Sequence, residues 1–306
     1  MISDTVAMAL ETIVPKENIH KNEPMSAHTT FRVGGPADCL IEVESAEQLV
    51  KLRQYFQKLE MPHFILGNGS NVLVSDLGYE GVILQIGRKM SEIRVDGCTV
   101  TAQAGALLSQ VAHVALEHGL TGMEFASGIP GTVGGAAVMN AGAYDGDMSG
   151  IINRVQVVAD SGEILELDNE TMEFGYRNSI IRHQPFVVTE VEYTLRAGDK
   201  DKIKTRMDEL AKLRREKQPL EYPSAGSTFK RPEGYFAGKL IMDAALRGFQ
   251  VGGAKVSDKH CGFVINAGNA TAADILGLIR TIQAKVQEQF QVSLETEVVM
   301  LGKFER

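Results

Sequence analysis

Tryptophan is absent from the chain and aromatic residues make up only 6% of it. Its three cysteines, Cys39, Cys98 and Cys261, stand far apart with no CxxC pair. An odd number at such spacing suggests neither a disulfide framework nor a zinc cage. The seven histidines show no HxH or HExxH grouping, so no metal site is expected. Positive charge is in deficit, 31 Lys+Arg against 39 Asp+Glu, which argues against broad, charge-driven nucleic-acid binding. The residues after Met1 lack a basic stretch leading into an apolar core, so no secretory signal is expected. One stretch, Phe125 to Tyr144, carries no charge over the length of a membrane span. Gly128, Pro130, Gly131, Gly134, Gly135, Asn140 and Gly142 within it argue against a continuous helix. A cytoplasmic protein that neither crosses a membrane nor binds nucleic acid is expected.

What the chain does have is length, apolar content and glycine. Its 306 residues suggest about two domains, and 44% hydrophobic with 23% charged residues is a globular balance. Glycine is the outlier: average usage of about 7% would give roughly 21, and there are 31.

The periodicity predicts a mixed α+β chain rather than a regular βαβ alternation. Ser45 and Gln48 have the form of a capping box, with Leu49, Leu52, Phe56 and Leu59 following at helical spacing. Strands are predicted at 64–66, 72–74, 82–86 and 100–104, and a helix over 107–118 with Gly119 as its C-cap. A hairpin is predicted from 155–159 and 164–167 around Asp160-Ser161-Gly162-Glu163. Further strands are predicted at 186–195, 262–266 and 295–301, with helices over 199–217 and 271–290.

Two glycine loops stand out. Gly67-Asn68-Gly69-Ser70-Asn71 lies between two apolar strands, and its backbone N–H groups, with Asn and Ser side chains, can cradle an anion. It is neither a Walker A loop nor a G-x-G-x-x-G, and a tight hairpin turn is the alternative. The second runs from Ser127 through Gly128, Ile129, Pro130, Gly131, Thr132 and Val133 to Gly134 and Gly135. Here missing Cβ atoms allow close approach to a flat ligand, or simply close packing of small residues. Two such loops in one half of the chain favour a ligand with a long, diphosphate-bearing body. Elsewhere, Arg177 follows Tyr176 at a turn, and Ser227 sits among small residues without a nearby base or a nucleophile elbow. Glu295 and Glu297 alternate on the expected terminal strand and so share a face.

Together these residues resemble the UDP-N-acetylenolpyruvoylglucosamine reductases, from about Thr29 to Gly302. The segment Thr29-Thr30-Phe31-Arg32-Val33-Gly34-Gly35-Pro36-Ala37 is similar to the family's first motif. Gly175-Tyr176-Arg177, Ala225-Gly226-Ser227 and Leu294-Glu295-Thr296-Glu297-Val298 follow in the family's order. The resemblance implies a vanillyl-alcohol-oxidase/PCMH-type FAD-binding domain over 1–210, with a core of about 29–196. A smaller α+β substrate-binding domain would span 211–306, its strand 295–301 returning to the active site. FAD would be held non-covalently, since no Gly-Gly-His attachment pattern is present. Its expected contacts are Phe31, Arg32, Val33, Gly67, Asn68, Gly69, Ser70, Asn71, Ser127, Gly128, Ile129, Pro130, Gly131, Thr132, Gly134, Gly135 and Asn140.

The reaction so implied converts UDP-N-acetyl-3-O-(1-carboxyvinyl)glucosamine to UDP-N-acetylmuramate in peptidoglycan precursor synthesis, with NADPH and the sugar nucleotide sharing one cleft. Arg177 would meet the carboxylate where negative charge grows. Glu297 would support that arginine, and Ser227 would donate a proton as general acid. Tyr144, Lys217 and Lys230 would contact the nucleotide-sugar. The short segment between Tyr176 and Ser227 resembles the subtype lacking a tyrosine-bearing insertion, and Cys261 is read as packing. A monomer is favoured. Two alternatives remain: an FAD-dependent oxidase or dehydrogenase of the same fold, and a nucleotide-binding module without catalysis.

Overall fold

The computed structural model describes residues 2–144 and 146–304. They form two compact units, neither of them continuous in sequence. One comprises Met1–Lys21, Cys39–Asn68 and Gly81–Leu213; the other comprises Asn22–Asp38, Gly69–Glu80 and Arg214–Arg306. The expected consecutive division at 210/211 has no counterpart for 22–38 and 69–80, which belong with the C-terminal residues.

In the first unit a five-stranded antiparallel sheet runs in the order Ile164–Asp168, Ile152–Val158, Val187–Thr194, Thr99–Gln103, Ile93–Asp96. The predicted hairpin is its edge, with Val158 opposite Ile164 and Gly162 at φ +85° in the turn. Inward residues such as Val100, Ala102, Val155, Val157 and Val191 are buried, as alternation along a half-buried sheet requires. Tyr193 is wholly buried among them, and burial pushes its phenol pKa up, so it stays protonated. Helix Ala46–Leu59 starts where the sequence places it: Ser45 Oγ accepts the Gln48 N–H at 3.2 Å. Gln48 Oε1 reaches back one residue further than in a standard box, to the Glu44 N–H at 2.9 Å. Leu49, Leu52 and Phe56 carry this helix into the core. Helix Leu108–Glu117 ends at Gly119, whose φ of +68° suits the left-handed stop.

In the second unit helix Ala272–Phe290 packs Ile275, Leu278, Ile279 and Ile282 against Phe31, Leu73, Phe229 and Val298. Thr271 and Asp274 form its capping box, and the Asp76 carboxylate takes the N–H groups of Ala272 and Ala273, each at 2.8 Å. Val72–Val74 pairs in parallel with Val299–Leu301, and Ala254–Val256 lies between Gln250–Val251 and Val264–Asn266.

Three sequence readings are corrected. The loop 67–71 is no hairpin turn, because the strand before it pairs with 82–85 and the strand after it with 299–301. The expected strand 295–301 is a strand only over Val299–Leu301. Residues 295–297 pair instead with 228–230, so the segment changes partner at the buried Val298 and no single ladder runs through it. The strand at 262–266 begins at Val264, because the Gly262 N–H is taken by the His260 ring at 3.1 Å.

Candidate active site

In the first unit Gly67 and Asn68, which open the first glycine loop, meet the second loop. Asn68 Nδ2 donates to the Pro130 carbonyl at 2.7 Å, and a Cβ on Gly67 would lie 2.4 Å from Thr132 Oγ1. Thr132 caps helix Val133–Met139 by accepting the Gly135 N–H at 3.4 Å. The N–H groups of Val133 and Gly134 are spent on the carbonyls of Ala106 at 2.9 Å and Ala104 at 2.8 Å. This helix start therefore offers an anion little. Gly134 is required by the protein itself, since a Cβ there would stand 2.9 Å from Ala104 Cβ.

The anion donors lie elsewhere. Among the described residues, the backbone N–H groups of Asn68, Gly69, Ser70 and Asn71 donate to no other residue. Four successive free amides on a bend make the kind of nest that holds a phosphate. The loop thus fits the diphosphate of FAD through its backbone. Two of the side chains expected to add donors are engaged within the protein: Asn68 on Pro130, and Asn71 on the Glu297 carbonyl at 3.0 Å. Gly69 needs its missing Cβ twice over, with φ at +61° and the His28 carbonyl oxygen 2.0 Å from the position a Cβ would take.

Arg177 sits in the turn Gly175–Asn178, closed by Gly175 N–H to Asn178 O at 3.0 Å and the reverse bond at 3.2 Å. Its φ of +54° is left-handed, as are those of three other predicted site residues, Arg32 at +56°, Asn140 at +41° and Tyr144 at +49°. Such backbone is unfavourable for residues with a Cβ and persists where surrounding structure fixes it. The Arg177 guanidinium donates through Nη2 to the Gly142 carbonyl at 3.1 Å and lies 5.3 Å from the Tyr176 ring centre. Tyr144 lines a cavity of about 210 Å³ with Glu124, Phe125, Arg206 and Leu210.

In the second unit Ser227 is exposed, between Gly226 at φ +74° and the fully buried Thr228. Thr228 fixes it from behind. Its N–H donates to Gly262 O at 2.9 Å and its hydroxyl accepts the Val264 N–H at 3.0 Å. The Thr228 carbonyl accepts the Glu297 N–H at 2.9 Å, and the Lys230 N–H donates to Glu295 O at 2.9 Å. One short antiparallel contact therefore carries Ser227 and Glu297 together. Lys230 is ion-paired with Glu295, whose side chain is largely exposed. The shared face expected for Glu295 and Glu297 is divided in use: Glu295 takes the lysine, while Glu297 is half-buried beside Asn71.

Phe31 and Val33 are core residues, so any contact with a cofactor would come from backbone. The Phe31 carbonyl already accepts from Asn266 Nδ2 at 3.1 Å, and the Val33 carbonyl from Thr29 Oγ1 at 3.0 Å. Arg32 between them is exposed, as is Lys217 at the last position of helix Lys200–Lys217. Ser127 spends its hydroxyl on the Glu124 carbonyl at 2.8 Å. Thr228 and Asn266 organise the site without having been legible in the sequence, since nothing local marks a buried Thr or Asn as a bridge. Burial pushes the His260 pKa below the usual histidine range, and its ring packs edge-on against Phe263 at 5.0 Å. Cys261 is buried in the apolar core of this unit. Among the described residues no group of three His, Cys, Asp or Glu is placed to hold a metal, and no helix is long and apolar enough to cross a membrane.

Comparison with known proteins agrees with the loop chemistry. Residues 37–168 match the model of an FAD binding domain, and residues 218–301 that of the UDP-N-acetylenolpyruvoylglucosamine reductase C-terminal domain. Fold and loops thus define a two-domain α+β flavoprotein oxidoreductase with a PCMH-type FAD-binding domain. The UDP-N-acetylenolpyruvoylglucosamine reductase of Caldanaerobacter subterraneus subsp. tengcongensis is 50% identical over 294 residues, 96% of this chain and 97% of that protein. That of Clostridium perfringens is 51% identical over 288 residues, 94% of each. The crystal structure of the Thermus caldophilus reductase superposes with a TM-score of 0.79 at 37% identity, covering 91% of this chain and 97% of that one. The chain belongs to the UDP-N-acetylenolpyruvoylglucosamine reductase family.

Proposed function

We propose that this chain reduces UDP-N-acetyl-3-O-(1-carboxyvinyl)glucosamine to UDP-N-acetylmuramate with NADPH, acting as a cytoplasmic monomer with non-covalent FAD. Residues 1–210 form the FAD-binding domain, which also supplies Arg177 and Tyr144 to the substrate, and 211–306 form the substrate-binding domain, where the Thr228–Glu297 backbone bond sets Ser227 beside Glu297. The observation that carries the reading is about 50% identity, over nearly the whole chain, to proteins of that name. It favours the reductase over an oxidase of the same fold and over a binding module.

FAD, when bound, supplies the two-electron relay between NADPH and the substrate's alkene. The chain's own residues manage charge and protons. The alkene carbon distal to the ether oxygen receives hydride, and negative charge then grows on the carboxylate. Arg177 neutralises it with a planar, permanently cationic fork. Glu297 stabilises the same growing charge by hydrogen bonding. The carbon bearing the ether oxygen takes its proton from Ser227 Oγ, which is exposed and so is reprotonated from water. Lys217, Lys230 and Tyr144 hold the nucleotide-sugar.

The test is optical. Purified protein should be yellow and release FAD on denaturation. NADPH should bleach it without oxygen, and the enolpyruvyl sugar nucleotide should restore the colour. Protein that is colourless and cannot be reconstituted with FAD contradicts the reading; colour restored by oxygen far faster, with that substrate inert, favours the oxidase.

A further inference from the structure

Asn140 ends helix Val133–Met139 in the left-handed region and is 5% exposed. Both ends of its carboxamide are engaged: Nδ2 donates to the Gly175 carbonyl at 3.0 Å, and Oδ1 accepts the Ser149 N–H at 2.9 Å. Gly175 opens the turn whose third residue is Arg177, and the same carbonyl closes that turn by accepting from Asn178. On the far side of the turn Ser179, fully buried, donates through Oγ to the Val138 carbonyl at 2.8 Å. The Arg177 guanidinium in turn donates to Gly142, two residues beyond Asn140.

One buried side chain therefore references the backbone of the Arg177 turn to the segment that receives the Arg177 guanidinium. Left-handed backbone at an arginine is unfavourable and needs such external fixing. We propose that Asn140 is a positioning residue for Arg177, tethering the turn 175–178 so that the guanidinium meets the substrate carboxylate. This rests on the reading of Arg177 given above, and it assigns the Asn140 carboxamide to that arginine rather than to the cofactor.

The experiment uses the FAD-loaded full chain. Asn140→Gly keeps the left-handed backbone and deletes both side-chain bonds, while Asn140→Asp keeps the acceptor for Ser149 and loses the donor to Gly175. Both variants should retain full FAD content and be reduced by NADPH within about twofold of the parent rate. Reoxidation by the enolpyruvyl sugar nucleotide should slow by about 10²-fold, the scale of a misplaced catalytic group. Trypsin should cut after Arg177 several-fold faster in both. In an Arg177→Ala background, Asn140→Gly should add no more than about a twofold change. Loss of FAD, equal slowing of both half-reactions, or unchanged cleavage after Arg177 would overturn the proposal. Should Arg177→Ala alone reoxidise at the parent rate, the catalytic reading of Arg177 fails, and the cleavage result by itself decides whether Asn140 holds the turn.

Discussion

Asn71 and Glu297 stand 226 positions apart and are joined at 3.0 Å, the asparagine Nδ2–H donating to the glutamate carbonyl. The Asn71 carbonyl also accepts the Val299 N–H at 3.0 Å, so one residue of the loop 67–71 sets the backbone on both sides of Val298. Asn71→Ala should cost about 1 kcal/mol in urea unfolding, the worth of one such hydrogen bond. It should slow reoxidation by the sugar nucleotide more than reduction by NADPH. The reverse ranking in stopped-flow traces would assign Asn71 to the cofactor alone.

Ser227→Ala removes the proposed acid and touches nothing else, because the serine is exposed and Thr228 behind it is held independently. NADPH should bleach this variant at nearly the parent rate. Reoxidation by the enolpyruvyl substrate should fall by about 10²–10⁴-fold, the range for general acid catalysis. Equal loss in both half-reactions would contradict a proton-donor role.

Gly134 and Ala104 form a testable packing pair. Gly134→Ala should destabilise the protein by about 1–3 kcal/mol through overpacking, since the new Cβ would lie 2.9 Å from Ala104 Cβ and 3.3 Å from the Ala104 carbonyl oxygen. Adding Ala104→Gly should recover part of that loss. A double variant no more stable than Gly134→Ala would show that the clash lies with the carbonyl.

His63 gives the protein an acid-side weakness. Burial pushes its pKa below the usual histidine range, and the neighbouring Arg53 charge adds to the effect against the raising influence of Met61 O and Asp160. Its Nε2 accepts from Arg53 Nη1 at 3.0 Å while Nδ1–H donates to Met61 O at 3.1 Å, so the folded ring is neutral. The unfolded chain gains a proton near pH 6.5 and the folded one resists it, so stability falls as pH drops below about 6.5. His63→Gln keeps an acceptor for Arg53 and cannot titrate. It should flatten the loss of stability between about pH 6.5 and 5 by up to about 1.4 kcal/mol per pH unit. An unchanged slope in denaturant titrations would place the weakness elsewhere, with His260 the next group shifted in the same direction.

Asp76 caps a helix from 196 positions away, accepting the N–H groups of Ala272 and Ala273. Asp76→Ala should cost about 1–2 kcal/mol, as loss of an N-terminal cap does. A loss below about 0.5 kcal/mol in thermal or urea unfolding would show that Thr271 and Asp274 suffice.

The sequence by itself determined whatever neighbours within a turn or two decide. Helix Ala46–Leu59 follows from Ser45, Gln48 and the spacing of Leu49, Leu52 and Phe56, and the hairpin at Gly162 from its turn residues and flanking alternation. The glycine loops and the family's motifs were also visible, because they are contiguous. Only the tertiary structure decided what those residues do. Gly67, Gly69 and Gly134 answer to Thr132, His28 and Ala104, so part of the glycine excess serves protein packing where the sequence suggested a ligand. The Asn68 and Asn71 side chains brace backbone, so the unspent donors of the loop are its amides. The strand expected at 295–301 breaks at Val298 because its two halves pair with segments far apart in the chain. Local propensity carries no information about partners about 30 to 230 positions away, since loop closure is cheap enough in entropy to allow many of them. Which partner wins is settled by burial and by the need to satisfy every buried N–H and carbonyl.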